Sequence, residues 1–100
     1  MTEKIRHRFM DIFEKLAEKI IREQETIIGP IALEQAKKVA GLEISGIDDI
    51  KIKGDGKEVL TNLVGQYEKL FGRTSIEVCK EAVKDMISKA PHDQLPQVLL

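Results

Sequence analysis

This sequence of 100 residues is poor in aromatic side chains, which make up 4% of the chain and include no tryptophan. The core is therefore expected to consist mostly of Ile, Leu, Val and Ala. The single cysteine, Cys79, excludes an internal disulfide and fits a reducing compartment. No apolar run approaches the roughly 18 residues of a membrane span, and the first residues, MTEKIRHRF, lack the apolar segment of a signal peptide. We therefore expect a cytoplasmic protein.

The chain also has no excess of one charge. Its formal net charge is -1, although 33% of its residues are charged. Such a balance creates no field that would attract nucleic acid or an acidic membrane. Residues 64–83 resemble a helix-turn-helix in outline, but Glu68 and Arg73 stand where that motif has small or apolar residues. The second helix of this pair is nearly neutral as well, so nucleic-acid binding is the less favoured alternative.

Apolar residues spaced three and four positions apart predict two helices in the first part of the chain. The first helix is expected over residues 5–28 and ends at Gly29-Pro30, where glycine suits a left-handed cap and proline suits the next first turn. The second helix is expected from about residue 30 to 40, and Gly41 ends it.

The apolar period then changes from helical to alternating. Residues 42–45 and 50–53 alternate apolar and polar side chains around a segment rich in turn-forming residues, which predicts an antiparallel hairpin. Since a lone hairpin is marginally stable, helices are expected to cover one of its faces.

The last ten residues, 91–100, contain two prolines and predict an extended tail.

Two further helices follow the hairpin. Asp55 and Glu58 have the spacing of a capping box that opens the third helix, and Gly72 ends it. Thr74 and Glu77 have the same spacing and predict the start of the fourth helix. We expect a mainly α protein with a small β-hairpin, in the order ααββαα. The stripe predicted to be buried on the third helix is Val59, Leu60, Leu63, Val64, Tyr67, Leu70 and Phe71.

A shift of 43 positions aligns the two halves of the chain, and the repeats are expected over about residues 5–41 and 55–90. Gly29 then falls on Gly72, and each half has the order helix, glycine corner, helix. This pattern indicates a single helical domain over residues 1–90, with two corners packed about a pseudo-twofold axis and the segment 42–53 as connector. A true duplication and convergent helix patterning both explain the match. The apolar positions that coincide are Leu16, Ala17, Ile20 and Ile21 with Val59, Leu60, Leu63 and Val64.

Few residues have the spacing of a chemical site. His7 and Asp11 lie one helical turn apart, with Glu3 and Glu14 on nearby turns, but the pattern is more typical of a solvated charged face than of a metal site. Cys79 lies at a buried position of its helix and has no histidine partner at a recognisable spacing. We therefore expect no catalytic residue, no bound metal and no cofactor.

The first corner has a recognisable sequence. Residues 28–32, IGPIA, resemble the glycine-proline corner of small helical modules attached to bacterial and archaeal signalling proteins such as serine/threonine kinases. The matching residues 71–75, FGRTS, lack the proline. The resemblance implies a non-catalytic regulatory module and identifies no active-site residue.

The remaining feature is surplus apolar surface, because the first helix has a wider apolar set than one neighbour needs. The chain is expected to act through protein–protein contacts, as a homodimeric regulatory or adaptor module. The tail either packs across its own helices, docks on a partner or a second copy, or is disordered. A second possibility is a small apolar ligand held between the corners, next to small residues such as Ala32, Ala36 and Cys79. The predicted interaction residues are Phe9, Met10, Ile12, Phe13 and Leu16, with Leu95, Val98 and Leu99 of the tail.

Overall fold

The fold is described from a computed structural model, which covers the backbone of residues 2–89, 93 and 95–100 and, within these, the side chains from residue 12 onward. This part of the chain is mainly helical, with one antiparallel hairpin, and its order ααββαα confirms the predicted fold class. The elements are α1 (Thr2–Ile28), α2 (Ile31–Ala36), β1 (Leu42–Gly46), β2 (Asp49–Ile52), α3 (Gly56–Phe71), α4 (Thr74–Ile87) and a C-terminal 3-10 turn (Gln97–Leu99).

Helix α1 forms because its apolar residues repeat at helical spacing and make one buried face. It ends where it was predicted to end. Gly29 has a φ of 78°, in the left-handed region that glycine enters at little cost, and its N–H donates to the carbonyl of Glu25 at 2.9 Å. The residues of α1 that are buried in the core are Leu16, Ala17, Ile20, Ile21 and Gln24.

Helix α2 is shorter than predicted, because it ends at Ala36 and not near residue 40. Beyond that residue the N–H of Val39 donates to the carbonyl three residues back, at 3.1 Å, which tightens the helix into a turn. Gly41 then has a φ of 86°, and its carbonyl accepts from the N–H of Lys53 at 2.7 Å. Residues 37–40, which the apolar pattern assigned to the helix, therefore form the turn that leads into the hairpin.

Glycine is required at position 41. A Cβ atom there would lie 2.8 Å from the carbonyl oxygen of Lys53 and 2.7 Å from Cγ2 of Val59. A positive φ and a backbone contact combine at this residue, so that no L side chain fits without moving the end of the hairpin or α3.

The hairpin lies where it was predicted, with each strand boundary within one residue of the expectation. Leu42 pairs with Ile52 and Ile44 with Ile50, so that these four side chains share one face, and a register shift follows between Ile44 and Gly46. Leu42, Ile50 and Ile52 are buried in the common core, and Ile44 packs against it. The helices thus cover one face of the hairpin, as its marginal stability requires.

Helix α3 begins with a side-chain cap. Oδ1 of Asp55 accepts from the backbone N–H of Lys57 at 3.1 Å, which confirms the predicted capping role of Asp55. The capping box predicted at Thr74 is wrong, because α4 begins with Thr74 itself, after Arg73, which makes no side-chain cap. The residues of α3 that are buried in the core are Val59, Leu60, Leu63, Val64 and Tyr67.

The C-terminal segment packs on its own chain. Leu95 and Leu99 are 1% and 3% exposed and belong to the common core, where the 3-10 turn contacts α4. The tail therefore ends in a helical turn, in place of the fully extended conformation that was predicted. None of the described helices is both long enough and apolar enough to cross a membrane.

Candidate interaction surface

The two helical corners have the same length and shape. Helices α1 and α3 end at Ile28 and Phe71, and helices α2 and α4 begin at Ile31 and Thr74, so that both pairs are separated by 43 positions. We call residues 27–32 corner 1 and residues 70–75 corner 2. The backbone of both corners turns at a glycine in the left-handed region, with φ of 78° at position 29 and 83° at position 72.

Their backbone hydrogen bonds also correspond. The N–H of Gly29 donates to Glu25 at 2.9 Å, and the N–H of Gly72 donates to Glu68 at 2.8 Å. A second pair of hydrogen bonds also corresponds. The N–H of Ala32 donates to the carbonyl of Gly29, and the N–H of Ser75 donates to the carbonyl of Gly72, both at 3.0 Å. Proline at position 30 and arginine at position 73 have nearly equal φ, -59° and -60°. The same corner therefore forms from two different sequences.

Two reciprocal hydrogen bonds join the corners. Nε2 of Gln24 donates to the carbonyl of Ser75 at 3.1 Å, and the hydroxyl of Tyr67 donates to the carbonyl of Ala32 at 2.6 Å. Gln24 and Tyr67 are equivalent in the 43-residue shift, and so are Ala32 and Ser75. When a contact between two residues is repeated by the residues equivalent to them, the two halves have the contact pattern of a twofold arrangement. Corners 1 and 2 thus lie close to each other in the fold.

The groups that make these bonds are buried and hydrogen-bonded. Gln24 is 2% exposed, and its Nε2 also lies 3.4 Å from Sγ of Cys79. Burial raises the pKa of the Cys79 thiol to about 11, and it raises the pKa of the Tyr67 hydroxyl above its usual value of 10. Both groups are therefore protonated at neutral pH. The hydrogen bonds of Gln24 and Tyr67 hold the corners together, since a satisfied buried polar network specifies one packing arrangement.

Each corner exposes two large apolar side chains. Ile27 is 60% exposed, Ile31 43%, Leu70 46% and Phe71 38%. We call these four side chains the corner surface. Apart from Leu100, they are the large apolar side chains with substantial exposure in the described residues. The prediction that Leu70 and Phe71 lie on the buried stripe of α3 is therefore wrong, because the described elements do not continue past the corners to cover them.

The predicted interaction residues whose side chains the structure describes pack within the same chain. Leu16, Leu95 and Leu99 are buried in the core of the same chain. Ile12, Phe13 and Val98 are partly buried and pack against that core. The side chains of Phe9 and Met10 lie outside the described residues.

The contact between Phe13 and Gly56 shows how the long helix α1 uses its apolar width. A Cβ atom at Gly56 would lie 2.6 Å from Cγ of Phe13, so the ring rests directly on the first turn of α3. The wide apolar face of α1 is thus shared among α3, α4 and the hairpin. From residue 12 to residue 21, the apolar side chains of α1 pack against neighbours in the same chain.

The charged residues of α1 that have metal-ligand spacing are only partly described. The side chains of His7, Asp11 and Glu3 lie outside the described residues, and Oε2 of Glu14 accepts from the N–H of Ile52 at 3.4 Å. The side chains that the structure describes include no group of three or more potential metal ligands.

The place between the corners, where an apolar ligand was predicted, contains the hydrogen-bonded side chains of Gln24 and Tyr67. Open grooves of about 390 and 530 Å³ lie instead on α4 beside the C-terminal turn. Charged and apolar side chains line both grooves together. The residues that line the smaller one are Glu77, Lys80, Glu81, Lys84, Ile87, Leu99 and Leu100.

No protein-family model, curated protein or solved structure matches this chain. The resemblance of the IGPIA corner to regulatory modules of signalling proteins therefore stays a prediction. The corner surface is the feature that sequence reasoning missed. A signal for it was present, because the 43-residue shift places the large apolar residues Ile27 and Leu70 at the same position beside a glycine corner.

Proposed function

We propose that this chain is a small cytosolic, non-enzymatic protein that acts through protein–protein contacts as a homodimeric regulatory or adaptor module. The observation that carries the proposal is the corner surface. At about 200 Å² for a fully exposed large side chain, the exposed fractions of its four residues amount to on the order of 400 Å². Their summed area is comparable to that of the largest apolar patch on a typical monomer, which is often functional.

The rigidity of the corners also supports an interaction role. The hydrogen bonds made by Gln24 and Tyr67 tie the two corners to each other from inside the core. A surface that is already held in its bound conformation loses little conformational entropy when a partner docks. Corner 1 and corner 2 thus offer a preformed interface.

The arrangement of the corner surface favours self-association in particular. The reciprocal hydrogen bonds of Gln24 and Tyr67 support a pseudo-twofold relation between the corners, and each corner contributes two large apolar side chains. In a symmetric dimer each patch is used twice, so that a surface of modest area contributes to a larger buried total.

A non-enzymatic role is consistent with the state of the most nucleophilic side chain. The thiol of Cys79 is buried, its pKa is raised to about 11, and Nε2 of Gln24 donates to it. A reactive cysteine instead has a lowered pKa and access to solvent. The position of Cys79 suits packing between α1 and α4.

The proposal is tested by the mass of the protein in solution. We expect sedimentation equilibrium of the 11.3 kDa chain to give twice that mass at micromolar concentration. Leu70→Ser is expected to shift the protein to the monomer without loss of helicity. Leu100→Ser is the matched control, because Leu70 and Leu100 are each 46% exposed but Leu100 lies on the tail. A wild-type protein that remains monomeric at millimolar concentration overturns the proposal.

A further inference from the structure

We infer that the partner of the corner surface is a second copy of this chain, in which corner 1 of one copy packs against corner 2 of the other. This inference rests on the proposed function and adds the arrangement of the dimer. It follows from the symmetry of the corners and from a difference in charge between them.

Symmetry leaves two arrangements for copies that meet at their corner ends. The two corners lie next to each other in the fold, on either side of the inferred pseudo-twofold axis. A dimer axis perpendicular to that axis can run through the two corners, which places corner 1 on corner 1 and corner 2 on corner 2. It can instead run between them, which places corner 1 on corner 2 twice. Both arrangements are isologous and closed.

Charge distinguishes the two arrangements. Residues 23–34, around corner 1, contain Glu23, Glu25 and Glu34 and no basic residue, which gives a formal charge of -3. The equivalent residues 66–77, around corner 2, contain two acidic and two basic residues and have a formal charge of zero. The basic residues are Lys69 and Arg73, and both are exposed.

Packing like corners together would set the three glutamates of one copy against the three glutamates of the other. Packing unlike corners sets Lys69 and Arg73 opposite the acidic corner, twice in each dimer. Charge complementarity of this kind selects the orientation of an interface and excludes competing ones. The apolar centre of about 400 Å² is roughly half of the 800 Å² per partner that a stable interface buries. The charged residues around the corners would form the remaining rim.

Charge reversal tests the arrangement with the full-length chain. The first variant is Glu23→Lys with Glu25→Lys, the second is Lys69→Glu with Arg73→Glu, and the third combines all four substitutions. Because each reversal sets like charges opposite each other in the unlike arrangement, the first two variants are expected to raise the dimer Kd about tenfold or more. The combined variant exchanges the two charge patterns and is expected to return to within about threefold of the wild-type Kd.

The control separates local from global charge. Glu58→Lys with Glu81→Lys changes the net charge as much as the first variant, at exposed positions outside both corners, and is expected to leave the Kd within about threefold of wild type. Circular dichroism verifies that each variant keeps its helicity.

The outcomes are distinct. If the wild-type chain dimerises but Glu23→Lys with Glu25→Lys leaves its Kd unchanged or lowers it, like corners pack together and this inference is overturned while the proposed function stands. If the combined variant dimerises more weakly than either partial variant, the inference also fails. A wild-type chain that does not dimerise overturns the proposed function itself.

Discussion

Tyr67→Phe removes one buried hydroxyl group and changes nothing else in the outline of the side chain. In the structure this hydroxyl donates to the carbonyl of Ala32 at 2.6 Å, in a region where Tyr67 has no exposed surface. The bond joins α3 to the first turn of α2, and it is one of the two reciprocal links between the corners. The substitution therefore tests whether the corners are held from inside.

The expected loss follows from what remains after the substitution. The carbonyl of Ala32 would stay buried while losing its partner, and an unsatisfied buried acceptor costs about 1–3 kcal/mol. The phenyl ring keeps its packing, so no large cavity opens. We expect a loss of about 1–2 kcal/mol, which for a domain of this size lowers the Tm by roughly 5–15 °C.

The assay is urea unfolding followed by circular dichroism, with Thr61→Val as the matched control. The hydroxyl of Thr61 donates to the carbonyl of Lys57 at 2.8 Å on the exposed side of α3, and water can replace that bond. The control is expected to change the free energy of unfolding by no more than about 0.5 kcal/mol. If Tyr67→Phe costs no more than Thr61→Val, the corners do not depend on the internal hydrogen bond, and the argument for a preformed surface fails.

Three further predictions concern packing and pH. Gly41→Ala is expected to destabilise the fold by about 2–4 kcal/mol in urea unfolding, because of the positive φ and the backbone contact. Gly65→Ala is expected to stabilise the fold by about 0.5–1 kcal/mol, because open space surrounds its Cβ position inside α3. An equal effect at both sites would contradict the structure. Leu95→Ala is expected to cost about 2–4 kcal/mol, whereas Leu100→Ala should change stability by less than about 0.5 kcal/mol; equal, small effects would mean that the tail is not docked. Because the folded-state pKa of Cys79 is raised from 9.0 to about 11, the unfolded chain releases this proton first and stability falls as pH rises from 9 to 11. Cys79→Ala is expected to flatten that fall by up to about 1.4 kcal/mol per pH unit in unfolding curves measured at each pH, and an unchanged slope would show that the thiol is not buried.

Local signals in the sequence predicted the helices, the corners and the hairpin. Gly29 and Gly72 marked both helix ends correctly, and Asp55 marked the start of α3. These features depend on a few neighbouring residues, since a left-handed cap or a side-chain cap satisfies the backbone groups next to it. The apolar pattern around Gly41 was ambiguous, because the early end of α2 depends on a hydrogen bond from Lys53 in the hairpin.

The candidate surface was harder to predict for a different reason. Periodicity shows which face of a helix is apolar, and burial depends on which element covers that face. Phe13 and Leu70 both belong to apolar stripes, yet Phe13 rests on Gly56 while Leu70 is half exposed at the end of α3. The bonds made by Gln24 and Tyr67 span 51 and 35 residues along the chain, so that no short pattern reveals them.

The crossed pairing of the halves has a consequence for how the chain could be cut or rewired. Helix α1 packs on α4 as well as on its own neighbour α2, and α2 packs on α3, so that each half completes the other. The hairpin turn near Ile47 joins the halves covalently, and the pairing of β1 with β2 and the ion pair between Arg22 and Asp48 add to the contacts between them. A protease that cleaved this turn would leave two polypeptides that stay associated through noncovalent contacts, as two subunits do. A gene that encoded the halves separately would then still produce the same assembled fold.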